Sequence, residues 1–246
     1  EINGIKLKKS LIDQAKNTLL PPGVTELSLQ FEFGPGTYQL INTSDGSYYK
    51  LNGKSNGEAG DSLQPLFIYE SKLSGVVSKG VIFTGGEFTN YSPFNPAIAA
   101  PQSSSPIIPP EPIAPITGAF IPTVNVVHPQ LPSSIVSTDF TKMTVYTGYY
   151  DDSNSQETLF NTMNFSIYYS NSSDSTPPVI SDPGQGNNLH TLNGTNCTFS
   201  VSVTDANSGV FRVIITYTDG ISEWNSLDLN FNPSNSKWEN SLSLTR

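Results

Sequence analysis

One pentapeptide in the chain has the spacing of a serine nucleophile. Residues 53–57 read Gly-Lys-Ser-Asn-Gly, and in the matching Gly-x-Ser-x-Gly pattern a strained strand-to-helix turn exposes the serine, here Ser55. Such a serine needs a base within hydrogen-bonding reach, and the only histidines are His128 and His190. No apolar helical pattern follows Gly57, and a proline follows His128. We therefore predict a polar loop at this site and a protein that is not an enzyme.

Acidic and amide side chains are concentrated at one predicted turn. Asp151, Asp152, Asn154 and Glu157 could supply oxygen ligands of the kind that Ca²⁺ prefers. Their spacing matches no calcium-loop motif, and Asp and Asn are also the ordinary residues of hairpin turns. The sequence favours a turn and leaves a calcium site as the alternative. The two histidines and the single cysteine are too dispersed to suggest a zinc site, and no cofactor is predicted.

Two pairs of adjacent tyrosines could stack on sugar rings. They are Tyr149 with Tyr150 and Tyr168 with Tyr169. Adjacent residues of a strand point to opposite faces, so half of these rings are expected in the core, and sugar binding stays a secondary hypothesis. Cys197 has the same strand parity as Phe199, which predicts a buried and unreactive thiol.

The chain has six candidate acceptors for asparagine-linked glycosylation. The pattern Asn-x-Ser/Thr occurs at Asn42, Asn90, Asn164, Asn171, Asn193 and Asn196. A chain so rich in Ser and Thr would contain about five such matches by chance. The pattern therefore permits glycosylation without requiring it.

The composition is that of a strand-rich and turn-rich extracellular protein. Charged residues make up 13% of the chain, and the net charge of −9 argues against nucleic acid, because phosphate binding needs clustered Lys and Arg. The basic cluster of Lys6, Lys8 and Lys9 is too small for a duplex. No apolar run is long enough for a membrane span, and no signal peptide is visible. One cysteine excludes an intrachain disulfide, which favours a bacterial or archaeal surface protein.

Short alternating strands are predicted over the first half of the chain. Residues 1–23 are expected to hold a short helix at 8–20, which the prolines at 21 and 22 end. Residues 24–92 are predicted to form an antiparallel β domain. Residues 134–172 are predicted to form a hairpin of strands 135–150 and 158–169, which packs with that domain.

Residues 93–133 have the composition of a proline-rich strap. Eleven of the nineteen prolines lie between Pro93 and Pro132, and Glu111 is the segment's only charged residue. Proline removes ladder donors and fixes φ, so the segment is expected to be extended and to lie outside a sheet interior. Its many isoleucines, including Ile107, Ile113 and Ile116, favour a strap that lies across a sheet or a neighbouring subunit. A plain spacer is the alternative.

Residues 173–246 alternate strongly between apolar and polar positions. The motifs are Thr-Pro-Pro-Val-Ile at 176–180, Val-Thr-Asp at 203–205 leading to Ser-Gly-Val at 208–210, and Asp219-Gly220 followed by Trp224. With these motifs the segment resembles the bacterial Ig-like modules of large secreted and cell-surface proteins. The resemblance covers about 70 residues and implies an Ig-like β-sandwich. It also implies two more strands after that of Trp238, so we expect a continuing polypeptide or a strand from a neighbour to complete the sandwich.

These observations predict an all-β protein at the cell surface or outside the cell. Its parts are an N-terminal antiparallel sheet domain, a proline-rich strap and a C-terminal Ig-like sandwich that is incomplete. The predicted function is structural: an adhesion protein, or the subunit of a filament, sheath or appendage, which contacts copies of itself or neighbouring surface proteins. The alternative is a non-catalytic accessory region of a large secreted hydrolase, with carbohydrate binding as one option.

Overall fold

Strands make up nearly all of the regular structure. The computed structural model describes residues 4–13, 20–57, 59–71, 73–100, 124–127, 141–172, 174, 176–181 and 196–243. The strands are β1 (Ile5–Ile12), β2 (Val24–Phe33), β3 (Tyr38–Asn42), β4 (Ser47–Leu51), β5 (Ser55–Asn56), β6 (Gln64–Ser71), β7 (Val77–Tyr91), β8 (Val124–Val127), β9 (Thr141–Tyr146), β10 (Gly148–Asp151), β11 (Gln156–Phe160), β12 (Thr162–Ser170), β13 (Val179–Ser181), β14 (Asn196–Thr204), β15 (Val213–Thr218), β16 (Glu223–Asn232) and β17 (Lys237–Ser243). A 3-10 turn, Asp152–Asn154, joins β10 to β11. The all-β class with antiparallel sheets is confirmed.

The main sheet of the first unit has β2, β12 and β7 side by side, with β1 outside β2. Every second residue of β2 from Leu27 to Phe33 is buried, which is the period of a strand with one face in a core. β12 pairs with β2 along its whole length and with β7 on its other edge. Strands β1–β12 are called the N-terminal unit below.

A second layer of strands covers this sheet and closes the core. β6 pairs with β9, and the ring of Phe67 on β6 lies 4.7 Å from that of Phe31 on β2. Met143 and Val145 on β9 are fully buried in the same cluster. Burying side chains of this size stabilises the fold by about 2 kcal/mol each, so the apolar interior between the two layers is the main source of stability.

The predicted hairpin of residues 135–150 and 158–169 is wrong in its pairing. Its turn at residues 151–154 is present, but only β10 and β11 pair around it. The chain bends at Thr147 and at Asn161, where backbone bonds from Thr147 to Pro65 and from Asn161 to Glu87 attach it to different layers. As a result β9 joins β6 and β12 joins β2 and β7, and the two predicted strands become four.

The helix predicted at residues 8–20 is wrong over Lys8–Ile12, which belong to β1, while residues 14–19 lie outside the described residues. β1 pairs with β2 over eight residues. In this register Ile5 enters the core and Leu7 packs against it, whereas Lys6 and Lys8 are on the other face. The unpaired edge of β2 supplies hydrogen-bond partners that a short helix would have had to find by docking.

The strap is described only at residues 93–100 and 124–127. Ala97 and Ala99 are buried, and backbone hydrogen bonds tie this segment to Ser47 and to Asp61. Val124–Val127 form β8, which pairs with β9, so this part of the predicted strap belongs to a sheet. Ile107, Ile113 and Ile116 lie outside the described residues, and their burial stays a prediction.

Strands β13–β17, here called the C-terminal unit, continue the same hydrogen-bonded network. β14 pairs with β13 and β17, and β16 pairs with β15 along its first half and with β17 at its end. The start of β16 pairs with β7 at Gly86 and Glu87. The alternating runs predicted as strands are strands, and the two units share a ladder.

The shared ladder has no room for a side chain at β7. A Cβ at Gly85 would overlap the carbonyl oxygen of Trp224, and one at Gly86 would overlap that of Thr162. Gly85 also has φ +136°, which L-residues rarely adopt. Glycine is therefore required where the two neighbouring strands approach β7.

We expect Gly86→Ala to destabilise the protein by about 2 kcal/mol or more, because the backbone of β7 or β12 must move to admit the methyl group. Gly80→Ala on the same strand is the matched control, since a Cβ there meets nothing within 4 Å, and its change should stay within about 0.5 kcal/mol. Urea unfolding measures both. Equal stabilities for the two variants would contradict the close approach.

Candidate interaction surface

Ser55 does not lie on a nucleophile turn. It begins β5, opposite Pro65 of β6. The preceding residues, Asn52 and Gly53, have φ of 51° and 79° and form a tight turn closed by hydrogen bonds between Leu51 and Lys54. Because the chain continues as a strand, the serine lacks the strand-to-helix setting of the pattern. His128 and His190 lie outside the described residues.

The structure does not bring the four candidate calcium ligands together. Asp151 caps the 3-10 turn: its carboxylate accepts hydrogen bonds from the Ser153 amide, at 2.9 Å, and from the Asn154 side chain, at 2.6 Å. Asp151 pairs with Gln156, so the neighbouring Glu157 points to the opposite face of the hairpin. In the part of the chain that the structure describes, no three His, Cys, Asp or Glu form a group that could hold a metal ion.

The tyrosine pairs do not form a sugar-binding platform. Tyr150, Tyr168 and Tyr169 are buried, and Tyr149 packs against the core. Cys197 is also buried, as its strand parity with Phe199 predicts.

Three of the six glycosylation acceptors are on open surface. Asn42, Asn171 and Asn196 are exposed, whereas Asn193 lies outside the described residues. Asn90 and Asn164 are half-buried. The Asn90 side chain accepts a 2.7 Å hydrogen bond from the Thr158 hydroxyl and donates to two carbonyls of the C-terminal unit, so a glycan there would break these contacts.

When the protein is secreted from a glycosylating eukaryotic host, we expect the folded fraction to carry glycans only at exposed acceptors. Glycopeptide mass spectrometry should find occupancy at Asn42, Asn171 or Asn196 and none at Asn90. Asn90→Gln serves as the control, because it should leave the glycan mass of the folded fraction unchanged. A glycan on Asn90 in that fraction would show that the side chain is not held at the junction.

The buried carboxyl of Glu157 lies close in sequence to the predicted turn at residues 151–154. Glu157 is 1% exposed, and Gln64 donates a hydrogen bond to one of its oxygens at 3.2 Å. The other Glu157 oxygen and the Gln64 oxygen have no hydrogen-bond partner. Burial raises the pKa of Glu157 to about 8, and the hydrogen bond from Gln64 acts in the opposite direction without offsetting the burial. The group therefore folds in its neutral form at pH 7.

Glu157→Gln should remove a pH dependence of stability. Because the folded state binds the Glu157 proton more tightly than the unfolded chain, this group's contribution is complete below pH 4.5 and is lost as the pH rises to about 8. Over that pH range the free energy of unfolding of the wild type should fall relative to that of the variant. The fall should be at most roughly 1.4 kcal/mol per pH unit. Urea unfolding at a series of pH values measures this difference, with Glu70→Gln, at an exposed position of β6, as the control. Parallel curves for wild type and Glu157→Gln would refute the assignment.

The C-terminal unit has an apolar face that is incompletely covered. Val201 lies opposite Trp238, and Trp238 lies opposite Phe231, so the three share one face. Phe231 is 51% exposed, and Ile180 on β13 is 67% exposed. The buried core cluster of the described residues belongs to the N-terminal unit, although Trp224 packs against it. On the same face Cys197, Val203 and Leu229 are buried, so its open part lies at Phe231 and Ile180.

Two edge strands of the described sheet, β1 and β15, differ in their charge. β1 carries Lys6, Lys8 and Lys9, and lysines on an edge strand oppose pairing with another chain. β15 reads Val-Ile-Ile-Thr-Tyr-Thr and has no charge. Its partner among the described strands is β16, on one edge. Among the described strands none pairs with the second edge of β15, and no lysine lies on that strand to oppose pairing with another chain.

Comparisons with known proteins do not assign this chain to a family. No family model matches it, and no curated protein matches it. Two of the solved structures that are similar to this chain are as follows. One concerns the zymogenic latency of gingipain K from Porphyromonas gingivalis: 14% identity, 68% of this chain and 100% of that chain covered, TM-score 0.41. The other is the complex of the pro- and mature domains of RgpB from the same organism: 12% identity, 68% and 84% covered, TM-score 0.44. At such identities and scores neither structure defines the fold or the function of this chain.

Among the described residues, no helix is long and apolar enough to cross a membrane.

Proposed function

We propose that the chain is a non-catalytic, extracellular interaction module, and that its Ig-like C-terminal unit pairs with a second copy through the free edge of β15. The observation that carries the proposal is the uncharged edge of β15 beside an apolar face that the described residues leave partly open. A strand added to this edge satisfies the backbone groups of β15 and extends its sheet. The partner is thus a protein that offers an equally uncharged strand.

The second copy fits this description because β15 is complementary to itself. In an antiparallel pair around a twofold axis, residues of the same parity lie opposite each other. With Ile215 opposite its own copy, Val213 lies opposite Tyr217. All three then face the same side of the extended sheet, which is an apolar contact between the two copies.

The twofold symmetry of this pair helps to choose between the two functions predicted from the sequence, a filament or sheath subunit and an accessory region of a secreted hydrolase. A twofold interface uses the same surface on both copies, so it ends at a dimer, whereas a filament needs a contact that leaves a free surface at each end. We therefore favour an accessory interaction region of a secreted protein over a filament or sheath subunit. A secreted hydrolase is the kind of protein that such a region would accompany.

Sedimentation velocity of the 26.6 kDa chain over a range of concentrations tests the proposal. We expect a monomer–dimer equilibrium for the wild type. Replacing both Ile214 and Thr216 with lysine should abolish the dimer, because in the proposed register each lysine lies opposite a lysine of the other copy. Both positions share the face of Arg212 and Asp228, so the new charges stay out of the apolar face.

The matched control keeps Ile214→Lys and combines it with Thr216→Glu. Opposite charges then face each other across the interface, and the dimer should return. A wild type that stays monomeric at about 100 μM, a concentration that detects even weak association, contradicts the proposal. So does a double-lysine variant that dimerises like the wild type. Species larger than the dimer would favour the filament subunit instead.

A further inference from the structure

The N-terminal unit has a groove that neither the sequence motifs nor the proposed function explains. Its volume is about 490 Å³. It lies between the β3–β4 hairpin and the residues that follow β7. The lining side chains are Leu40, Ser47, Tyr49, Asn90, Tyr91, Ser92, Pro93, Phe94 and Asn95.

Three aromatic rings form the apolar part of the groove. The ring of Phe94 is stacked on that of Tyr49 at 5.8 Å, and the ring of Tyr91 lies 5.7 Å from Tyr49 at a tilt of 42°. Tyr91 is 41% exposed, and Leu40 is 45% exposed. Part of the aromatic and aliphatic surface is therefore open to solvent, although these residues also pack against one another.

The polar residues of the lining are two serines and two asparagines, none of which carries a charge. Ser92 and Asn95 are exposed and offer a hydroxyl and an amide, and no Lys, Arg, Asp or Glu lines the groove. A phosphate or carboxylate ligand binds most strongly to a cation, and the net charge of −9 would oppose its approach. The lining therefore matches a neutral ligand that has apolar faces and many hydroxyl groups.

The groove is held open by the backbone rather than by mobile side chains. Phe94 donates a backbone hydrogen bond to Ser155 at 2.9 Å, and Ser47 donates one to Asn95 at 2.8 Å. The Tyr38 hydroxyl donates to the Phe160 carbonyl at 2.7 Å beneath the aromatic cluster. A site fixed in this way loses little conformational entropy when a ligand binds.

We propose that this groove binds pyranose rings of a neutral polysaccharide. The C–H face of a sugar ring stacks on the exposed ring of Tyr91. Its hydroxyl groups exchange hydrogen bonds with Ser92 and Asn95 at the rim, which fix its orientation. The site is independent of the β15 edge, so it adds a ligand to the interaction module.

Isothermal titration of the intact chain with cellohexaose, chitohexaose and maltohexaose tests this site, with hexagalacturonic acid as the charged comparison. We expect at least one neutral hexasaccharide to bind and the acidic one not to bind. Tyr91→Ala should weaken that binding by about tenfold or more, the loss expected for one aromatic stacking contact.

Tyr48→Ala is the matched control. Tyr48 is adjacent to Tyr49 on β4, so its ring points to the opposite face, where Lys50 lies over it. Its removal should leave sugar binding unchanged. Thermal melting checks the fold of each variant, and Leu40→Glu, at another exposed lining position, replaces Tyr91→Ala if that variant unfolds.

Several outcomes would overturn the site. One is that none of the three neutral sugars binds at about 5 mM, a concentration at which a site with a Kd of about 1 mM would be mostly occupied. Another is that Tyr91→Ala and Leu40→Glu both bind as well as the wild type. Equal weakening by Tyr48→Ala would locate the binding elsewhere. None of these results depends on whether the chain dimerises, so this test and that of the β15 edge fail independently.

Discussion

The close approach of three strands at Gly85 and Gly86 connects the two units of the chain. β7 pairs there with β12 on one side and with the start of β16 on the other. Two further contacts support this crossing: Phe88 donates a backbone hydrogen bond to Ser222 at 2.8 Å, and Arg212 donates to the Tyr168 hydroxyl at 2.6 Å. Backbone pairing of this kind fixes orientation more firmly than side-chain contact alone. The C-terminal unit is therefore attached as a continuation of the sheet.

The sequence predicts strands well because alternation depends on local geometry. The buried residues of β2 and the apolar positions of β14–β17 follow a period of two, which a strand with one covered face must show. Even the turn at residues 151–154 was predictable, since Asp and Asn side chains cap such turns by bonding to nearby amides. The class and many strand positions therefore follow from the sequence alone.

Alternation does not say which strand pairs with which. The bend at Thr147 separates β9 from β10 and sends them to different layers, although both have the same apolar pattern. The same limit applies to the prediction of β1. Its apolar residues fit a helix face or a strand equally well, and only the free edge of β2 decides between them. Pairing is decided by contacts between residues far apart in the chain, and a single sequence does not display these contacts.

The candidate sites could not be predicted from the sequence for the same reason. Tyr49 and Tyr91 come from strands that are distant in sequence, and Phe94 comes from the segment predicted to be a strap. The sequence offers Glu157 only as a candidate ligand of the alternative calcium site, and its partner Gln64 precedes it by 93 residues. Only the tertiary structure shows that the carboxyl is buried and that the aromatic rings are together.

The buried carboxyl and the aromatic groove are linked by the register of one ladder. Glu157 of β11 lies opposite Tyr91 of β7, so both side chains extend from the same face of the sheet. Burial raises the pKa values of Tyr38 and Tyr49, and an ionised Glu157 would raise them further. A neutral Glu157 therefore suits the groove in two ways. It avoids an uncompensated buried charge opposite Tyr91, and it keeps the electrostatic potential of the groove suited to an uncharged ligand.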